Sequence, residues 1–130
     1  MTEKIFSIEQ FSLKGKIALI TGASYGIGFA IAKAYAEAGA TIVFNDINQE
    51  LVDRGLTAYH EAGISAHGYV CDVTDEAGIQ AMVEQVEREV GIIEILANNA
   101  GIIRRVPMCE MSAADFRKVI DIDLNAPFIV

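Results

Sequence analysis

Gly22, Gly26 and Gly28 stand within one segment, Thr21-Gly22-Ala23-Ser24-Tyr25-Gly26-Ile27-Gly28, directly behind the apolar run KIALIT at residues 16–21. Residues of this type at this spacing do one kind of chemistry well. Gly22 permits a tight turn, Gly26 lets the backbone approach an anion, and Gly28 lets a following helix pack close to the strand. The helix then points free N–H groups and its positive dipole end at a phosphate. The spacing is Gly-x-x-x-Gly-x-Gly and lacks the Gly-Lys-Ser/Thr of a nucleoside-triphosphate loop, which argues against a kinase or an ATPase. Asp46 follows Gly28 by 18 residues at the end of a second apolar run. An acid there is placed to bind the ribose hydroxyls of an adenosine, and it can also cap a helix. The pairing predicts a dinucleotide site.

Such a loop works only if a strand and a helix hold it, and the pattern supplies both. Residues 16–21 and 41–45 read as buried parallel strands. Ile27, Ile31, Ala34, Tyr35 and Ala38 recur at helical spacing before Gly39. A second helix is expected over residues 49–62, closed by Gly63. A third strand covers residues 65–71. Thr74 is the expected N-cap of a third helix, with Asp75 and Glu76 in its first turn and Ile79, Met82, Val83, Val86 and Val90 on one face, ending at Gly91. A fourth strand spans residues 92–97. Ser112, with Asp115 three residues on, starts a last helix as a capping-box variant. Alternation of this kind predicts an α/β fold, a Rossmann-type doubly wound parallel sheet with helices on both faces. Phe6, Ile8 and Phe11 are expected to lie across the surface.

Composition narrows the partners. Hydrophobic residues make up 52% and charged residues 22% of the 130, which is the balance of a soluble globular domain. No apolar run approaches the roughly 18 residues of a membrane span. The start, Met-Thr-Glu-Lys, shows no secretory signal. The net charge of −8 argues against nucleic acid and anionic membrane as partners. Cys71 and Cys109 have neither disulfide-scaffold nor metal spacing, and His60 and His67 lack ligand partners, so no metal is expected and the reducing cytoplasm is the expected compartment. The chain stops in the apolar run Asn-Ala-Pro-Phe-Ile-Val. Residues 1–130 are therefore expected to be the N-terminal, dinucleotide-binding part of a single domain that continues further.

Three segments in order, the glycine segment, Cys71-Asp72-Val73 and Asn98-Asn99-Ala100-Gly101, resemble the short-chain dehydrogenase/reductase family. The resemblance runs from Leu13 onward over the first half of a family member. It implies NAD or NADP as cofactor. Gly22, Ser24, Tyr25, Gly26, Ile27 and Gly28 would hold the pyrophosphate and adenosine ribose, Asp46 the ribose hydroxyls, Asp72 and Val73 the adenine, and Asn99, Ala100 and Gly101 the ribose and nicotinamide side. Asn98 would bond neighbouring strands. Asp46 favours the free ribose of NAD, and Tyr25 stands where phosphate-preferring relatives often carry a basic residue. NADP stays open, with backbone N–H groups and Ser24 as its candidate phosphate donors. The segment Ile102-Ile103-Arg104-Arg105-Val106-Pro107 and Asn45-Asp46-Ile47 are similar to the gluconate 5-dehydrogenase branch, and a sister branch acting on ketodeoxy uronic-acid derivatives shares the arginine pair. That implies a sugar-acid substrate whose carboxylate an arginine, Arg104 first, would bind bidentately. It also implies a homo-oligomer, a tetramer or a dimer.

Two departures from the family stand out. Its Ser, Tyr and Lys active site has no match, because Tyr25, Tyr35, Tyr59 and Tyr69 are followed four residues later by Phe29, Gly39, Gly63 and Val73. Asp123 occupies the place of the family's relay asparagine and cannot donate as an amide does; Asn125 is a substitute. Rival readings are a methyltransferase, which leaves Asn98-Asn99-Ala100-Gly101 unexplained, and a nucleotide-binding module without catalysis.

Overall fold

Strand Ile17–Thr21 (β1) sends Ala18 and Ile20 to one face and Leu19 to the other, all of them buried. Strand Thr41–Asp46 (β2) does the same with Ile42 and Phe44 against Val43. Each fully buried side chain of this size contributes about 1.5–3 kcal/mol, so these two strands form the centre of the sheet and both of its faces must be covered. The computed structural model describes residues 7–130 and shows how. Helices Gly26–Glu37 (α1) and Gln49–Glu61 (α2) pack on the Ala18–Ile20 face through Ala32, Val52 and Tyr59. Helix Glu76–Glu89 (α3) covers the Leu19 face through Ile79, Met82 and Val86.

Strands Ala66–Val70 (β3) and Ile95–Ala97 (β4) complete a four-stranded parallel sheet in the order β3-β2-β1-β4. The chain winds outward from β1 through β2 to β3, then returns beneath the sheet to β4 on the far side of β1. This is the Rossmann-type doubly wound arrangement, and its direction reverses between β1 and β4. A crevice at the carboxyl ends of those strands is where such sheets take ligands. After β4 come helix Ala113–Ile120 (α4), a π-helical turn Asp121–Asn125 and the short helix Ala126–Ile129 (α5), whose Ala126 is buried beside Leu19 and Val43.

Local chemistry sets the element ends. The Asn48 side chain accepts the Leu51 N–H at 2.9 Å and starts α2. Ser112 accepts the Asp115 N–H at 3.0 Å while its hydroxyl donates to the Asp115 carboxylate at 2.7 Å, the expected capping box of α4. Thr74 is not the cap of α3. Asp72 Oδ1 takes both its N–H (2.9 Å) and its hydroxyl (2.7 Å), and the helix begins one residue later behind Asp75. β3 and β4 are shorter than the expected runs. β4 begins at Ile95 rather than 92; Ile92 is exposed, and the approach is pinned by the Glu94 N–H on the Ile17 carbonyl at 3.0 Å and by the Lys16–Glu94 ion pair at 2.6 Å. β3 loses one residue at each end of the expected run. Ile8 and Phe11 lie on an exposed 3-10 turn Ile8–Phe11, as expected; Phe6 falls outside the described residues.

Candidate functional site

At the reversal point the ends of β1 and β4 are tied to each other by four hydrogen bonds. Thr21 Oγ1 accepts the backbone N–H groups of Asn99 and Ala100, both at 3.0 Å. The Asn99 side-chain amide donates back to the Thr21 and Gly22 carbonyls, both at 3.0 Å. Two segments 77 or more residues apart thereby become one rigid turn. It has no room for side chains: a Cβ on Gly28 would stand 2.5 Å from the Asn99 amide and 2.7 Å from the Gly22 carbonyl. Gly26 differs. Its φ of +64° suits glycine, and nothing lies within 4 Å of where a Cβ would project. The Tyr25 cap of α1 makes no side-chain hydrogen bond to the helix, and no acid occupies the first turn. The first N–H groups of a helix lack intrahelical acceptors, so this end offers bare donors and a positive dipole to a diphosphate.

The turn opens on a cleft of about 340 Å³. Gly22, Tyr25, Gly26, Ile27, Gly28, Asp46, Asp72, Val73, Asn99, Ala100 and Gly101 all line it. Ser24 does not. It is buried beneath α2, where a Cβ on Gly55 would meet its Cα at 2.9 Å, and its hydroxyl has no hydrogen-bond partner. The two acids of the lining are oriented by their own backbones. Asp46 Oδ1 accepts the Ile47 N–H at 2.9 Å, and Asp72 Oδ1 is held by Thr74, leaving the second oxygen of each for a ligand. A nicotinamide dinucleotide fits this donor set. The bare α1 terminus suits the pyrophosphate, and acceptors at the ends of β2 and β3 suit a ribose and a purine amine.

Sequence reasoning missed part of the wall. Asn45, Ile47, Leu51, Cys71, Ile102 and Ile122 also line the cleft. Asn45, buried, donates to the Cys71 carbonyl at 3.0 Å and leaves its Oδ1 unpaired. Its signal was a polar residue in an otherwise apolar strand. Burial, then the charges of Asp75 and Asp72, push the Cys71 thiol pKa up, which makes it a poor nucleophile. The Tyr59 hydroxyl donates to the Ala23 carbonyl at 2.7 Å and holds the glycine turn to α2. On the far strand, burial and then the Glu89 carboxylate push the Tyr69 hydroxyl up to about 12.

Arg104 stands apart from the cleft. It lines a second hollow, about 370 Å³, with Ile103, Met108, Phe116 and Asp123, and Ile102 belongs to both walls. Its guanidinium lies 3.7 Å from Asp115, half-exposed, while Arg105 is exposed and outside the hollow's lining. Asp123, in the π-helical turn, accepts the Ile102 N–H at 2.9 Å and anchors the partition between the two spaces. Asn125 donates to Asp121 at 2.8 Å. Among the described residues the Asn98 amide donates to the Pro127 carbonyl of α5 at 3.3 Å. Among the described residues no helix is long and apolar enough to cross a membrane, and no three His, Cys, Asp or Glu side chains gather as metal ligands would.

A glycine turn at the reversal point of a doubly wound sheet, with acids ending β2 and β3, defines a nucleotide-binding α/β protein. The chain belongs to the short chain dehydrogenase family, which it matches over residues 16–130 and whose members use a nicotinamide cofactor. It is 51% identical over 125 residues to the 2-dehydro-3-deoxy-D-gluconate 5-dehydrogenase of Formosa agariphila, covering 95% of this chain and 47% of that one. The crystal structure of 2-keto-3-deoxy-D-gluconate dehydrogenase from Streptococcus agalactiae superposes with a TM-score of 0.81 at 75% identity, over 92% of this chain and 45% of that one. That of a gluconate 5-dehydrogenase from Burkholderia cenocepacia, in complex with NADP and tartrate, gives 0.85 at 39% identity, over 94% and 48%. The chain thus spans about half the length of the relatives it matches.

Proposed function

We propose that residues 1–130 form the cofactor-binding part of a single-domain NAD(P)-dependent oxidoreductase that interconverts a hydroxyl and a ketone at C5 of a six-carbon sugar acid. The observation that carries this reading is the convergence of the glycine turn, Asp46, Asp72 and the Asn99–Gly101 segment on one cleft. The bound nicotinamide would supply hydride acceptance and donation. This chain's residues would do the rest of the holding: α1 N–H groups on the pyrophosphate, Asp46 on the adenosine ribose, Asp72 and the Val73 backbone on the adenine, and Asn99 keeping the turn in shape. Arg104, in the adjoining hollow, would take the sugar-acid carboxylate. The proton-transfer groups belong to the half of the relatives' length that this chain does not span.

A 2-keto-3-deoxy-D-gluconate substrate is favoured by the 51% and 75% identities to dehydrogenases named for it. D-gluconate, oxidised reversibly to the 5-keto acid, is the second reading, favoured by the arginine pair and by the gluconate 5-dehydrogenases among the relatives. A cytoplasmic homo-oligomer is proposed with it, on the family resemblance alone. The test is a fluorescence titration of the full-length protein with NADH and NADPH, then turnover with both sugar acids. Wild type should bind at least one nucleotide. Gly26→Val, which places a branched side chain where the pyrophosphate would lie and strains a turn held at φ +64°, should abolish that binding while circular dichroism shows the helices and sheet mostly retained. Full affinity in that variant would remove the assignment.

A further inference from the structure

The cleft wall contains two carboxylates, Asp46 and Asp72, and neither lysine nor arginine. A dinucleotide arrives with the negative charges of its pyrophosphate, and a 2′-phosphate adds a dianion close to Asp46. Helix-terminal N–H groups answer the pyrophosphate, but nothing in the wall itself answers that second anion. A cation stands immediately behind it. Arg54, in the second turn of α2, holds its guanidinium carbon 5.4 Å from the centroid of the Tyr25 ring, and Tyr25 lines the cleft with 54% of its surface exposed. Glu50 sits one turn earlier on the same helix, at the spacing of a helix ion pair. Arg54 makes no ion pair with it or with any other carboxylate among the described residues. The guanidinium is exposed and laid against the aromatic ring that borders the ligand space. Stacking on a ring leaves the in-plane N–H donors free, and their fork matches phosphate oxygens.

We infer that Arg54 is the residue that admits a 2′-phosphate at the adenosine end of the cleft, and so sets the choice between NADP and NAD against the opposing charge of Asp46. The inference rests on the dinucleotide reading of the cleft. In it Tyr25 is a platform that holds Arg54 at the rim, and the 2′-phosphate completes the guanidinium's hydrogen bonds. Ser24, the hydroxyl of the same loop, is buried outside the lining and is not the donor.

The experiment is a fluorescence titration of NADPH and NADH on the full-length protein and on its Arg54→Ala and Arg54→Lys variants at low and high salt, with circular dichroism as the fold control. Arg54→Ala should raise the Kd for NADPH about 10- to 100-fold, the range of a lost charged hydrogen bond, and change the Kd for NADH less than about threefold. Arg54→Lys, which keeps the charge but not the fork, should restore only part of the NADPH affinity. Equal losses for both nucleotides, an unchanged NADPH affinity, or a wild type that binds NADH alone would overturn the role of Arg54 and leave the dinucleotide site standing. A wild type that binds neither nucleotide would overturn the site and the inference together.

Discussion

The two hollows that meet at Ile102 are built by opposite means. The cleft over β1 and β4 is made of backbone. Its donors are helix-terminal N–H groups, Gly22 and Gly28 leave no room for side chains, and Thr21, Ser24 and Asn45 in and behind its wall are each only 1% exposed. The hollow around Arg104 is made of side chains. Ile103 and Met108 are 70% and 79% exposed, and its one ion pair is a 3.7 Å contact between half-exposed partners. A site of the first kind inherits the rigidity of the sheet and recognises what many ligands share, a diphosphate and an adenosine. A site of the second kind can be rewritten without touching the core, as loops that carry specificity commonly are. Relatives named for gluconate and for its ketodeoxy derivative both match this chain, which agrees with such a division.

The sharpest break of this comparison is Gly28→Val. The new side chain would overlap the Asn99 amide and the Gly22 carbonyl, so the turn and its partner segment must part. We expect a stability loss of about 1–3 kcal/mol or more from overpacking, with loss of nucleotide binding. Thermal unfolding and a fluorescence titration check both, and a variant that unfolds and binds like wild type would show that the cleft is not held by close packing.

Asn99→Ala asks whether the amide clamps the turn or faces the ligand. Losing two donations to partly buried carbonyls should cost about 1–3 kcal/mol and weaken both NADH and NADPH about tenfold or less. Reduced affinity at unchanged stability would make Asn99 a direct ligand contact instead.

Arg104→Ala should leave the core untouched. A half-exposed ion pair contributes about 0–1 kcal/mol, so the melting temperature and the nucleotide Kd should hold. The effect should fall on the sugar acid, with kcat/KM lower by about 10- to 100-fold. Arg105→Ala, exposed outside the hollow, should do less. If the nucleotide Kd moved as much as kcat/KM, the two hollows would be one site.

Local pattern was enough for much of this protein. Short runs of β-branched and apolar residues read as strands buried on both faces, and their alternation with the helical spacing of α1 and α3 points to a parallel sheet covered by helices. The glycine turn announced itself because its residue type is dictated by backbone geometry and close approach, which no other side chain permits. Asp46 could be named because an acid at the end of the second strand points at the ligand crevice, and Asp72 because the segment Cys71-Asp72-Val73 resembles the family. Tertiary structure alone decided the rest. β4 spans only Ile95–Ala97, and the Asn98 amide meets the Pro127 carbonyl of α5. Asp72 outcompeted the helix terminus for Thr74. Ser24 went under α2 and out of the cleft, Tyr59 used its hydroxyl on the Ala23 carbonyl, and Arg54 came to rest on Tyr25. Each of these is a meeting of residues from different elements. Periodicity within a segment reports which face that segment buries, but carries no record of the groups that face will meet.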